Sequence, residues 1–346
     1  MLIPEPPLSE ALLLAELSRL TGDRVLCASL GRAQFAAAFA SSQPTADVAC
    51  NFLDLHQADS AREATVAIPN LHITCDADLP SGECDLAVLP VTMNGDAELT
   101  RELLQQMHDR LIIGGQLMTS TDNADDTWLA SEMGKLFDKV ECRASAKGVV
   151  YLATKRSPLK KVKDFSCEFA FRDGERLLRV TSRPSVFSHR HIDTGARALI
   201  ETMQIAPGDR VFDIGCGSGV AALAAAARAN DATVYAVDSN PRAVACTQRG
   251  AELNALSNVT AHLNAKGDCD VPGSYDVALA NPPYYSHFKI AEIFVDGAHR
   301  ALRPGGRLYI VTKHPAWYED NLDLRFFRVD AVQLRGYWVF TATKNT

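Results

Sequence analysis

A chain of 346 residues is too long for one ordinary hydrophobic core and suits two domains. Its 47% hydrophobic and 22% charged residues are those of a soluble globular protein and exclude a disordered one. No apolar run approaches the roughly 20 residues of a membrane span, and the start, Met1 to Pro7, lacks the basic and apolar blocks of a secretion signal. A net charge of −7 counts against binding nucleic acid through overall charge, while a local basic patch stays compatible with it. The 9 cysteines form no C-x-x-C pair; buried, reduced thiols in a cytoplasmic protein are expected, and no metal site.

In chain order, the first half opens on Asp23-Arg24-Val25-Leu26, followed by Cys84-Asp85-Leu86-Ala87-Val88, Ile113-Gly114-Gly115-Gln116-Leu117 and a segment starting at Gly148. The second half repeats this skeleton: Asp209-Arg210-Val211-Phe212, Tyr275-Asp276-Val277-Ala278-Leu279, Pro304-Gly305-Gly306-Arg307-Leu308 and a segment starting at Gly336. The same 29 residues separate Asp85 from Gly114 and Asp276 from Gly305. Four matches in one order indicate a duplicated domain. The expected units are 1–155, a connecting region 156–190 and 191–346.

From Lys155 to Arg190 the chain is rich in Lys and Arg, with Phe165, Phe169 and Phe171 interleaved. Two readings stand: a solvated linker or hairpin, or a nucleic-acid-facing strip with arginines on phosphates and aromatic rings packing or stacking. Beyond it, short β-branched, apolar strands are predicted at 210–214, 233–237, 259–263, 276–280, 306–311 and 337–342, with helices at 219–230 and 241–254 between them. Pro241 after Ser239-Asn240 suits a capped helix start. Strand and helix alternation predicts an α/β fold with a mostly parallel, doubly wound sheet in each half.

Val211-Phe-Asp-Ile-Gly-Cys-Gly-Ser-Gly219 runs an apolar strand into a glycine-rich turn, where a ligand can approach the main chain. Such a turn alone also suits dinucleotide binding. Asp213, two residues before Gly215, favours a cationic ligand over a pyrophosphate, which points to S-adenosylmethionine with its sulfonium and ammonium. Gly215, Cys216, Gly217 and Gly219 form the turn. Asp238 ends the next strand, where a carboxylate can accept from both ribose hydroxyls, with Ser239 beside it. Of Asn264 and Asp268 after the third strand, one is expected near the adenine ring, and Asn264 is favoured.

Ala280-Asn281-Pro282-Pro283-Tyr284 follows the fourth strand, at the carboxyl edge where ligands of such sheets bind. Two prolines supply no N–H, so the corner presents acceptors: the Asn281 side-chain oxygen and the Pro282 carbonyl. The lone pair of a planar, conjugated amino group is delocalised, and two acceptors gripping its hydrogens can aim it at a methyl carbon. Tyr284 can lie flat against the planar group.

These residues resemble the class I methyltransferases with an Asn-Pro-Pro-Tyr/Phe motif. Among them the chain looks most like the guanine-N2 ribosomal RNA methyltransferases of the RsmC/RlmG type. Arg183-Pro-Ser-Val-Phe-Ser-His-Arg-His-Ile-Asp-Thr-Gly195 resembles the segment before their catalytic domain, with Ser185 where glycine is usual. The resemblance is specific in the second half and architectural in the first. It implies two tandem Rossmann-like domains, only the second active, S-adenosyl-L-methionine as cofactor, ribosomal RNA or a ribosomal subunit as partner, no membrane or metal, and a monomer. Guanine N2 must be reached in unpaired RNA or after base flipping; Tyr285, His287, Phe288, Arg183 and Arg190 are the expected substrate contacts, with packing under the loop as the alternative for Tyr285 and Phe288. The small subunit is favoured on chain length. In the gapless repeat register Cys27, Ser29, Ala33 and Phe52 stand where Asp213, Gly215, Gly219 and Asp238 stand, and Pro90-Val91-Thr92 replaces Asn281-Pro282-Pro283. The first domain is therefore expected neither to bind cofactor in the usual way nor to catalyse. The rival readings are a glutamine methyltransferase of release factors, an adenine-N6 methyltransferase and a non-catalytic ribosome-binding module.

Overall fold

A computed structural model describes residues 5–283 and 288–345. The chain divides between Phe165 and Ser166 into two compact units. In the first, α1 (Leu8–Leu14) precedes β1 (Arg24–Ala28), α2 (Gln34–Ser42), β2 (Asp47–Asn51), α3 (Leu55–Thr65) and β3 (Leu71–Thr74). There follow β4 (Cys84–Val91), α4 (Ala97–Arg110), β5 (Leu111–Thr121), α5 (Trp128–Leu136), β6 (Val140–Ser145) and β7 (Gly148–Thr154). The second opens on a hairpin, β8 (Cys167–Asp173) and β9 (Arg176–Ser182), then α6 (Thr194–Thr202), β10 (Arg210–Ile214), α7 (Val220–Arg228), β11 (Thr233–Asp238), α8 (Pro241–Leu253) and β12 (Val259–Leu263). It closes with β13 (Tyr275–Ala280), α9 (Lys289–Ala301), β14 (Leu302–Thr312), α10 (Pro315–Leu322), β15 (Phe327–Leu334) and β16 (Tyr337–Thr343).

Among the described residues each unit holds one seven-stranded sheet, ordered β3-β2-β1-β4-β5-β7-β6 and β12-β11-β10-β13-β14-β16-β15. All neighbours are parallel except those of the last two strands in each. The duplication is thus a duplication of topology. Its last match shifts by one residue: Gly148 begins β7, whereas Gly336 sits in the turn before β16 at φ 79°. Both hairpins turn on two residues, 146–147 and 335–336, because Ser145 pairs with Gly148 and Leu334 with Tyr337. Sequence reading aligned the glycines, but strand pairing aligns Gly148 with Tyr337.

The predicted central strands form because they are buried on both faces. Val211 and Leu279 pack into one apolar layer with α6 and α7, and Phe212, Ile214 and Ala278 into another with α9. Side chains alternate along a strand, so Asp213 faces the same side as Val211, toward α6 and α7. The alanine-rich α7 is buried from Val220 to Ala227, and its small side chains let it press close to the sheet. The edge strand β15 was not predicted. It is mostly exposed and is held by antiparallel pairing to β16.

The region 156–190 is not a free linker. Residues from Ser166 on belong to the second unit. Phe171, Leu178 and Val180 of the hairpin are buried in that unit's core, with Phe169 packed against it. Phe165 is buried as well. Lys155, also buried, donates to the carbonyls of Asp109 and Leu111. The aromatic rings are core residues, so the stacking half of the nucleic-acid-strip reading fails; Arg172 and Arg179 lie on the outward face by strand alternation, and Arg176 is exposed at the hairpin turn. At the hairpin turn, Asp173 accepts two hydrogen bonds of 2.8 Å from Arg228 at the end of α7. Among the described residues no helix is long and apolar enough to cross a membrane.

Helix α9 is locked to the loop after β12. A Cβ on Gly297 would lie 2.4 Å from the Gly267 carbonyl oxygen. Replacing an interior helical glycine with alanine ordinarily stabilises by about 0.5–1 kcal/mol. Here the clash dominates, and Gly297→Ala should destabilise by roughly 1–3 kcal/mol in chemical unfolding; a stabilised variant would show that helix and loop are not in register contact.

Candidate active site

The turn after β10 is shaped by glycines in the left-handed region. Gly215 has φ 71° and its missing side chain makes room for the Phe294 ring, which a Cβ would approach to 2.5 Å. Gly219 has φ 83° at the start of α7, and a Cβ there would meet Thr247 Oγ1 at 2.8 Å. Both conformations favour glycine over residues with a Cβ. The Gly215 and Cys216 N–H groups donate to the Val237 carbonyl, which ties the turn to β11. Cys216 is buried, and burial pushes its thiol well above the usual range. Six of the 9 cysteines are buried, while Cys142 is exposed.

A cleft opens over this turn. It is lined by the turn residues Gly215 to Ser218, by Asp213, by Ala196 and Leu199 of α6, by Val220 and Ala221 of α7, and by Phe187, Ser188, Asp193 and Asn281. Two of the expected carboxylate and amide groups, Asp213 and Asn281, therefore meet in one place. Asp238 stands next to it rather than in its lining. Its Oδ2 accepts from Gly217 N–H at 2.9 Å and its Oδ1 from Asn240 N–H at 2.8 Å, so the carboxylate is aimed along the turn. Asn264 folds its own loop, with Oδ1 accepting from the N–H groups of Lys266 and Asp268. Ser239 is half-buried beside Asp238.

Asp213 is only 3% exposed, and its Oδ2 has no hydrogen-bond partner among the described residues. Burial pushes its carboxyl up to about 7, a hydrogen bond from the Ala222 backbone opposes the rise, and the Asp238 charge adds to it. A buried charge without a partner is costly unless a cation completes the site.

Asn281 is half-buried at the end of β13. Its Nδ2 donates to Asp193 Oδ2 at 3.1 Å, and its Oδ1 has no partner among the described residues. The same Asp193 oxygen accepts from Ala196 N–H at 2.8 Å as the cap of α6. Gly195 leaves space for this, since a Cβ there would lie 2.9 Å from Asp193 Oδ2. Sequence reading missed Asp193 as a site residue: its position before Thr194-Gly195 reads as a helix cap and nothing more.

The segment 183–190 straps the cleft. Asn240 Nδ2 donates to the carbonyl and hydroxyl of Ser185, and the fully buried Arg242 donates to the Pro184 carbonyl. Ser185, Ser188 and Arg190 have φ of 77°, 56° and 79°. That is why glycine suits position 185 in the resembling segment. Val186 is buried against Ala243 and Cys246, which leaves Phe187, 57% exposed, at the cleft. Arg183 is half-buried and Arg190 exposed, and neither lines the cleft. Pro282 is buried and Pro283 half-buried; Tyr284, Tyr285 and His287 lie outside the described residues. Phe288 stacks on Trp317 at 5.3 Å with the rings 1° from parallel and packs against the α9 layer. It is a packing residue here rather than a free platform.

The first unit has the same edge with different groups. Cys27 and Phe52, equivalent to Asp213 and Asp238, are buried. Ser29 donates to Glu10 Oε2 at 2.8 Å, and Glu10 Oε1 accepts from Phe35 N–H at the start of α2. A carboxylate of the protein itself, buried to 1% exposure, sits on the turn.

A family model described as the methyltransferase small domain matches residues 177–341. A ribosomal RNA small subunit methyltransferase C of Chromohalobacter salexigens is 38% identical over 178 residues, 46% of this chain and 52% of that protein. A ribosomal RNA large subunit methyltransferase G of Shewanella amazonensis is 34% identical over 174 residues, 48% of this chain and 45% of that protein. The chain thus spans about half the length of these relatives. A methyltransferase C of Shewanella piezotolerans is 27% identical over 273 residues, 76% of this chain and 78% of its own. Among solved structures, the Thermus thermophilus 16S rRNA N2 G1207 methyltransferase RsmC, in complex with AdoMet and guanosine, has a TM-score of 0.78 and 20% identity, covering 96% of this chain and 92% of that one. That likeness establishes the tandem fold.

Protonated Asp213 removes the buried charge, so the free protein loses stability through this group as pH rises from about 4 to about 7, where the folded form binds the extra proton. A cationic ligand reverses the preference and releases that proton. S-adenosylhomocysteine, which keeps the ammonium, should bind about tenfold more tightly at pH 8 than at pH 6 in calorimetry, and Asp213→Asn should flatten the dependence.

Proposed function

We infer that this chain is a tandem-domain methyltransferase of the RsmC/RlmG type and transfers a methyl group from S-adenosylmethionine to the exocyclic N2 of a guanine in ribosomal RNA. The observation that carries the reading is the buried oxygen of Asp213, unpartnered among the described residues, in the same cleft as the Asn281 carboxamide. One group asks for a cation and the other offers an acceptor to an amino hydrogen.

In this reading Asp213 would face the positive methionine end of the cofactor, the glycine turn would lie along it, and Asp238 would accept from the ribose hydroxyls. The cofactor supplies an electrophilic methyl on sulfur. Asn281 Oδ1 and the Pro282 carbonyl hold the two hydrogens of the guanine amino group, so its lone pair points at the methyl carbon. The nitrogen–methyl bond forms as the sulfur–methyl bond breaks, and one amino proton then leaves to solvent. Neither the cofactor nor the base needs the first domain for this step. That domain carries Cys27, Phe52 and Pro90 in place of the three functional groups, and its turn is occupied by Glu10. Its role is to recognise the RNA or to brace the second domain. A 16S substrate is favoured over 23S, since a small-subunit relative matches over 76% of the chain, more than the second unit alone spans.

Purified protein given methyl-labelled cofactor should label ribosomal subunits or RNA lacking the modification, with N2-methylguanosine as product. Asn281→Ala should lower kcat by about 100- to 1,000-fold while cofactor affinity stays within a few-fold. Label in a peptide release factor instead would keep the Asn281 chemistry and overturn the substrate. Cofactor binding without label on any acceptor would favour a binding module.

A further inference from the structure

We propose that Asp193 is a positioning residue for the transfer, setting both the direction and the acceptor strength of the Asn281 carboxamide. The proposal rests on the reading above, in which Asn281 grips the amino group.

A carboxamide can turn by half a rotation about its last bond and present either its oxygen or its nitrogen to a ligand. At Asn281 the choice matters: the nitrogen would point its own hydrogens at the substrate amino group and repel it. The Asp193 carboxylate accepts and cannot donate when ionised, so it holds Nδ2 at 3.1 Å and turns Oδ1 away from itself. Both residues line the one cleft, so the freed oxygen is presented there. The backbone over-determines this arrangement. Asp193 Oδ2 is pinned from the other side by Ala196 N–H at 2.8 Å, at the start of α6, and Gly195 leaves the room for the carboxylate to fold back. The helix N-terminus and the Asn281 amide thus share one oxygen.

The charge adds a second effect. An anion on the N–H side of a carboxamide draws electron density toward its oxygen, and hydrogen bonds in such chains polarise one another. Oδ1 therefore accepts more strongly as the substrate nitrogen gains positive charge during methyl transfer. That strengthening occurs in the transition state rather than in the bound substrate, so it raises kcat and leaves binding little changed.

Two substitutions separate this role from helix capping. Asp193→Ser keeps a capping oxygen for Ala196 and is too short for Asn281; Asp193→Asn keeps the length and removes the charge. Both residue types are good caps. Activity is read at saturating cofactor and RNA, alongside the thermal midpoint, S-adenosylhomocysteine affinity and RNA KM. The expected result is a kcat lowered about 100-fold in Asp193→Ser and about tenfold in Asp193→Asn, with midpoint, cofactor affinity and KM near those of the parent. In the Asn281→Ala background, Asp193→Ser should lower kcat no further. Parent-like kcat in both variants, beside an inactive Asn281→Ala, would sink the positioning role and leave the function standing. A fully active Asn281→Ala would sink the function itself. If both Asp193 variants lose their thermal midpoint and activity together, Asp193 is a cap and the proposal is wrong.

Discussion

A carboxylate buried at the end of a central strand, with one oxygen unpartnered among the described residues, stays ionised only beside a cation and otherwise takes up a proton. Asp213 imposes that condition on the second domain. Strand alternation turns it toward α6 and α7, whose cleft-facing residues are Ala196, Leu199, Val220 and Ala221. These side chains cannot solvate a charge, and burial accordingly lifts the Asp213 carboxyl. The main chain near it turns through left-handed glycines, which keeps the approach clear of side chains. Asp238, aimed along the turn by Gly217, deepens the demand for positive charge. The polarity of the ligand follows from this buried placement, which the surrounding fold has to hold in place.

The two domains separate fold from chemistry. They share the strand order and central register, because Val25, Leu26, Leu86 and Val88 fill the first sheet as Val211, Phe212, Val277 and Leu279 fill the second. What differs is the carboxyl edge. Ala33 keeps the left-handed bend of Gly219, with φ 59°, so the turn survives without its ligand contacts. In the first domain β4 continues through Pro90 and Val91, paired with Ser120 and Thr121 of β5. In the second, β13 ends at Ala280, and the two consecutive prolines carry the chain off the sheet. A single proline is tolerated in the extended strand, whereas the second removes another backbone donor. The corner that offers Asn281 exists because pairing stops there.

The site depends on a piece of chain that looks like a connector. From Asn254, which exchanges hydrogen bonds with the Arg179 backbone, to Arg242, which holds Pro184, the segment tracks the length of α8. Thr181 bonds to the Cys246 carbonyl midway. Three non-glycine residues with positive φ in the strap are costly and persist only where the surroundings over-determine them. Here the buried arginine and the Asn240 amide do so. The result is that Phe187, Ser188 and Asp193 are delivered to the cleft from outside the sheet.

Sequence by itself determined the duplication, the parallel sheets, the glycine turn and the positions of Asp213, Asp238 and Asn281 on strand ends. These are local properties: apolar residues buried on both faces, glycines and prolines that restrict the backbone, and a period of two that carries a side chain to a known edge. Tertiary structure alone decided the rest. The strand at 327–334 shows little apolar pattern because it is an edge, held by backbone pairing to its neighbour. The charge pattern of 155–190 is that of a solvated strip, but burial of Phe171 could be known only once α6, α7 and the hairpin were packed together. Asp193 and Asn281 are 88 residues apart, and no periodicity links them. Their contact exists because a helix cap and the end of β13 converge on one cleft, a matter of how elements pack rather than of what any of them is made from.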